Sequence, residues 1–153
     1  MDAIRELKTR AEILHRRLQA ENPRSEIRRA DCLKKIAAEL GFPSWLAARK
    51  AINGEGPVED FGTLLYPRYG GFINLWFKTY EEAAAVREAK SGYLLAYRRQ
   101  YLVVDAFYLE ALGLDPADPD WEAMGFDWVR PRDVAARTRL YAKLVEALPR
   151  AVS

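Results

Sequence analysis

The sequence predicts an α+β fold. It reads as an N-terminal three-helix module over residues 1–54, a linker or packed surface loop over 55–70, and an α+β unit over 71–153 with a small sheet and three or four helices. Three observations carry this. Apolar residues recur at spacings of three and four through the first 54 positions, the period of helices buried along one face. Short aromatic and aliphatic runs follow between 72 and 104, the composition of strands. Beyond residue 105, acidic residues stand where helix N-caps are needed.

Asp2 can cap a first helix to about Ala20, whose stripe is Ile4, Leu7, Ala11, Leu14 and Leu18. Asn22-Pro23 ends it. Ser25 can cap a second helix to Leu40, and Gly41 stands where a left-handed C-cap needs a residue without a Cβ. Ser44 caps a short third helix from Trp45 to Ile52. Residues 53–71 hold five glycines and two prolines, so they read as loop, although Phe61, Leu64, Leu65 and Tyr66 give it something to bury.

"FINLWFK", 72–78, is apolar on both faces, as an interior strand is. Thr79 followed by Glu82 is a capping box for a helix to about Lys90. "YLLAY" and "YLVV" flank Arg98-Arg99-Gln100 as one long strand or a hairpin. Asp105 can cap a helix ending at Gly113. Asp115-Pro116 and Asp118-Pro119 each place an acceptor ahead of a proline at a first helical position. The last helix is expected from about Pro131 to Leu148, with Val134, Tyr141, Leu144 and Leu148 inward.

Residue counts narrow the chemistry. One cysteine, Cys32, allows no internal disulfide, and one histidine, His15, leaves a Cys/His zinc site without enough ligands. Any serine or cysteine nucleophile would have to share that single imidazole. No run of 18 apolar residues offers a membrane span, and MDAIRELKTR lacks a signal-peptide core, so a cytoplasmic chain is expected. Charge is uneven. Residues 1–54 carry +5 and the remainder −3, which makes the helical half the better surface for an anionic partner.

The stretch "CLKKIAAELGFPSW" has helix-turn-helix proportions. Arg28, Arg29, Lys34, Lys35, Arg49 and Lys50 are its nucleic-acid candidates, though the basic residues of the second helix are spread around its circumference. Leu33, Ile36, Ala37, Leu40, Gly41, Phe42 and Trp45 spell L-x-x-I-A-x-x-L-G-F-x-x-W. Over residues 7–53 this resembles the small helical domain of the bacterial glyoxalase-related protein family. The resemblance implies a three-helix fold, and it does not imply glyoxalase chemistry.

In the second half, Tyr97, Arg98, Arg99 and Tyr101 form one candidate recognition cluster, since guanidiniums beside phenols can grip an anion and stack on a ring. Trp121, Trp128 and Arg130 form another, with tryptophan as core cover or as an exposed anchor. Asp115, Asp118, Asp120 and Glu122 could attract a hard cation, but the spacing is not that of an EF-hand.

The expectation is a non-catalytic binding, adaptor or regulatory protein. It would act through macromolecular contacts, with a protein partner or a second copy of the chain. No catalytic residue, metal ligand, cofactor or membrane is expected. One alternative is a binder of a small anionic molecule, or a carboxylate-based enzyme, in the second half. The other is a helix-turn-helix-like nucleic-acid-binding regulator.

Overall fold

The structure is a computed structural model and describes residues 2–67 and 74–149. The fold is α+β, and among the described residues there are seven helices and one three-stranded antiparallel sheet.

Helix α1 (Ala3–Glu21) starts where the Asp2 carboxylate accepts the Ile4 N–H at 2.9 Å. Helix α2 (Arg29–Glu39) begins later than Ser25 would have it. The Asp31 carboxylate accepts the Arg28 N–H at 2.9 Å, and the Ile27 carbonyl is engaged by His15 Nε2 at 2.9 Å, which fixes residues 27–28 outside the helix. Gly41, at φ +79°, then turns the chain; a Cβ there would come within 2.5 Å of Thr63. Helix α3 (Trp45–Asn53) is capped by the Ser44 hydroxyl.

The 53–71 stretch packs, as its apolar residues suggest. Phe61, Leu64 and Leu65 are buried, and the Leu65 carbonyl accepts the Tyr108 hydroxyl at 2.6 Å. In the sheet, strands β1 (Leu75–Phe77), β2 (Tyr93–Tyr97) and β3 (Gln100–Val104) lie in the order β1-β3-β2. The two-residue turn Arg98-Arg99 pairs β2 with β3 and leaves the other edge of β3 for β1. The expected interior strand is therefore an edge strand, with Leu75 44% and Trp76 40% exposed. Phe72 and Ile73 lie outside the described residues.

Helix α4 (Tyr80–Lys90) is capped by Thr79. It packs over Leu94 and Val103 through Ala83, forming a small core of its own on that face of the sheet. Helices α5 (Ala106–Ala111), α6 (Pro119–Ala123) and α7 (Val134–Ala147) follow. Only the second Asp-Pro pair opens a helix; Asp115 instead closes a turn onto the Ala117 N–H at 2.9 Å. Helix α7 starts after Asp133, whose carboxylate accepts two N–H groups of the first turn. Val134, expected inward, is 45% exposed.

One large core joins both halves. Leu7 and Ala11 of α1, Ile36 and Ala37 of α2, and Ile52 of α3 share it with Leu95, Leu102, Trp121, Trp128, Leu140 and Leu144. At roughly 1.5–3 kcal/mol for each large side chain removed from water, it is the main stabilising term of the molecule. No described helix is long and apolar enough to cross a membrane.

Candidate functional site

The site begins with a turn. Phe126, at φ +59°, bends the chain after α6, and its carbonyl accepts the Leu94 N–H at 2.9 Å. The Trp128 N–H donates to the Leu94 carbonyl at 2.9 Å, so residues 126–128 lie along the free edge of β2. Asp127 then organises its neighbours. Its Oδ1 accepts the Val129 and Arg130 N–H groups, each at 2.9 Å, and its Oδ2 accepts the Tyr80 hydroxyl.

That turn delivers Arg130 onto the Tyr80 ring, with Cζ 3.9 Å from the centroid, a cation–π contact. Burial, and then the bond to Asp127, push the Tyr80 phenol well above its ordinary pKa, so it remains a protonated donor at physiological pH. Tyr101 of β3 meets Tyr80 edge-on at 6.1 Å.

Arg137 enters from α7. It is 5% exposed, and its Nη1 donates to the Trp128 carbonyl at 2.7 Å and to the Val129 carbonyl at 3.4 Å. Its Nε has no hydrogen-bond partner among the described residues. Among the described residues no carboxylate lies within ion-pair distance of it. A buried cation without a counter-ion is costly, and the two carbonyl bonds only partly offset that cost.

These groups meet at one concavity. Pro57, Val58 and Phe61 supply its apolar lining. Tyr80, Tyr101, Arg130 and Arg137 supply the polar lining, and among the described residues no acidic side chain joins them. The lining offers cationic donors and phenols, a set suited to holding an anion. A second, more polar concavity lies beyond Tyr80 and Arg130 and adds Arg87 and Arg132, but Glu88 and Asp127 also line it. An apolar groove between α1 and α2, lined by Ile13, Leu14 and Ile36, holds Arg10, already committed to carbonyls at the end of α7, and Arg17, which faces Glu21 at 4.0 Å, and Glu39 lines it as well.

The structure separates the first sequence-predicted cluster. Arg98 and Arg99 form the hairpin turn, so neither is a strand residue facing one side. Arg98 has φ +56°, its N–H and carbonyl are tied to Gly62 and Phe61, and its guanidinium lies 3.8 Å from Asp60. Arg99 is exposed. Tyr97 and Tyr101 fall on opposite faces of the sheet, because Tyr101 pairs with Ala96 rather than with Tyr97. Tyr97 instead packs beside Tyr66 at 5.2 Å and Trp76 at 5.9 Å.

The second cluster is also divided. Trp121 and Trp128 are 1% and 0% exposed and stack in the core 5.6 Å apart, so they cover it and anchor nothing at the surface. The Trp121 indole donates to the Asp115 carbonyl at 3.1 Å. Arg130 alone of that cluster reaches the concavity.

Of the nucleic-acid candidates, Arg28, Lys34, Lys35 and Lys50 are exposed on α2, its cap and α3. Arg29 is paired with Glu12 at 2.8 Å and Arg49 with Glu55 at 3.7 Å. The acidic segment is likewise engaged, Asp118 by Lys143 and Asp120 by Arg139 at 2.8 Å. Among the described residues no group of three or more metal-binding side chains converges.

Tyr80 and Arg137 escaped the sequence reading. Arg137 did leave a signal: it stands four positions before Tyr141 and seven before Leu144, on the stripe that α7 turns inward. Tyr80 left none, since its role depends on Asp127, 47 positions away. Compared with known proteins, the chain matches no family model, no curated protein and no solved structure.

Proposed function

We propose that this chain is a non-catalytic binding protein that holds an anionic group in the concavity between Arg130 and Arg137. The observation that carries this reading is the Arg137 guanidinium, buried with no carboxylate partner among the described residues, at a concavity to which they contribute a second arginine and no acid. An anion there would provide the missing counter-charge beside a buried guanidinium, through charge-assisted hydrogen bonds.

The test is thermal unfolding in phosphate, sulfate or acetate against chloride at equal ionic strength. An anion at ten times its Kd should add about 1.4 kcal/mol of stability, which is roughly 3–5 °C for a chain of this size. Arg130→Ala removes a side chain that is exposed but stacked on Tyr80. It should lower the melting temperature in chloride only slightly, by the loss of about 0.5–1 kcal/mol, and reduce the anion-specific rise. Equal melting temperatures in all four salts would overturn the reading.

A further inference from the structure

We infer that the groove between the end of α2, the loop before the sheet and the end of α7 binds a quaternary alkylammonium, its methylated head beside Glu39 and Tyr97 and its chain along α7. This site is separate from the anion site and rests on different residues.

The groove has a head and a tail. At the head, Glu39 and Thr63 meet the rings of Tyr66 and Tyr97. Leu64, Tyr66, Pro67 and Leu148 line this end and also the adjoining concavity, so the two run on as one groove. There Leu112, Leu144 and Ala147 continue an apolar lining.

Charge selects a cation. Among the described residues no basic side chain lines either part, and Glu39 is the one carboxylate. Glu39 has no hydrogen bond or ion pair among them. It also borders the groove between α1 and α2, but the guanidiniums there, Arg10 and Arg17, face Glu6 and Glu21 instead.

The acceptors select a methylated head. A primary ammonium carries three N–H donors, each of which needs an acceptor. The carbonyls nearby are already engaged: that of Leu40 by the Thr63 N–H at 2.8 Å, that of Thr63 by the Tyr66 N–H at 3.1 Å, and that of Leu148 by Arg10 at 3.0 Å. A quaternary ammonium donates nothing and is held by aromatic rings and a neighbouring carboxylate. Those rings are present. Tyr66 and Tyr97 stand 5.2 Å apart and inclined at 60°, and Trp76 packs against them at 6.3 and 5.9 Å. A bare metal ion would meet a single exposed carboxylate and leave the rings and the apolar tail unused. A head and chain together use both, the usual division of labour in small-molecule sites.

The experiment is an NMR titration of the full chain with hexyltrimethylammonium, hexylammonium, tetramethylammonium, hexanoate and hexanol at matched ionic strength. Affinities are read from the ring resonances of Tyr66 and Tyr97, while Tyr80 and Tyr101 report the anion site separately. Hexyltrimethylammonium should bind tightest, at least tenfold more tightly than tetramethylammonium, since roughly two buried methylenes suffice for that gain. Glu39→Gln, at an exposed position, should weaken it at least threefold more than it weakens hexanol. Tyr66→Leu keeps the apolar bulk and removes a ring, and should act in the same direction. Tighter binding of hexylammonium would overturn the methylated head, and equal binding of hexanoate would overturn the cation. Equal affinities for the hexyl and tetramethyl ions would overturn the chain. Unmoved Tyr66 and Tyr97 resonances with all five compounds would remove the site, and none of these results would touch the anion reading.

Discussion

A buried polar group must find its partner inside the protein, and Tyr108 shows how much order one such bond imposes. Its ring is 1% exposed in the core, and its hydroxyl donates to the Leu65 carbonyl at 2.6 Å, pinning the loop before the sheet to α5. Tyr108→Phe would keep the ring and leave that carbonyl without this donor. The expected loss is about 1–2 kcal/mol of stability, read from the urea midpoint at unchanged slope. An unchanged midpoint would mean that water replaces the hydroxyl. Arg137 is the opposite case, because its buried Nε has no partner among the described residues, and unlike the other buried polar atoms in that position it belongs to a guanidinium that lines the Arg130 concavity. Such a deficit is partly legible in a sequence. An arginine on the inward stripe of a helix is visible from spacing alone, whereas the absence of a facing carboxylate is a property of the assembled fold. The pairing of Tyr97 with Tyr101 misled for a related reason. They are neighbours in sequence, but a two-residue turn and the alternation of the strands send them to opposite faces.

At the scale of elements, local chemistry was readable wherever a side chain caps its own helix. Asp2, Ser44, Thr79, Asp105 and Asp118 all cap where their sequence context places them. Boundaries moved where a distant group intervened, as His15 does at Ile27. The edge position of β1 was hidden because an apolar run looks alike at the centre and at the edge of a sheet. Between elements, α6 and α7 are joined by Asp118 with Lys143 and by Asp120 with Arg139. Burial alone would raise the Asp118 carboxyl, but the Lys143 ammonium and the Asp120 N–H outweigh it and hold the pKa below the ordinary value. The hydrogen bond to Asp118 in turn raises Lys143. A depressed carboxyl stabilises the fold above its unfolded pKa, near 4, and the gain is lost as pH falls through the lower folded value. A raised ammonium stabilises below its unfolded pKa, near 10.4, and its gain is lost at higher pH. Asp118→Asn should therefore lower the melting temperature by a constant amount between about pH 5 and 9, and the gap should close toward pH 2. With Lys143 54% exposed, solvent screening limits the effect to about 0.5–1 kcal/mol. A gap that persists at pH 2 would assign the loss to capping instead of charge.

For the whole molecule, the decisive contact runs from the first helix to the last. Helix α7 ends with no basic residue in its final turn, so its terminal carbonyls and the negative end of its dipole need a cation from elsewhere. Arg10 of α1 supplies it. Its Nη2 donates to the Val145 and Leu148 carbonyls at 3.1 and 3.0 Å, while its Nε pairs with Glu6 at 3.0 Å. Both side chains of that pair are about nine-tenths buried, so Arg10→Ala would take the side-chain donor from the Leu148 carbonyl, leave the Val145 carbonyl with the Leu148 N–H, and remove the guanidinium that faces Glu6. The expected cost is about 3 kcal/mol. Because the core is shared, the loss should lower one transition and not release one half of the chain. The helices of both halves report through circular dichroism at 222 nm, whereas with Trp45 and Trp76 replaced by phenylalanine the fluorescence comes from Trp121 and Trp128 alone. The two signals should unfold with the same midpoint in urea, and Arg10→Ala in that background should move both by the same amount. Separate midpoints would show that α1–α3 and the sheet unfold independently, and the Arg10 contact would then be a surface seam between two cores.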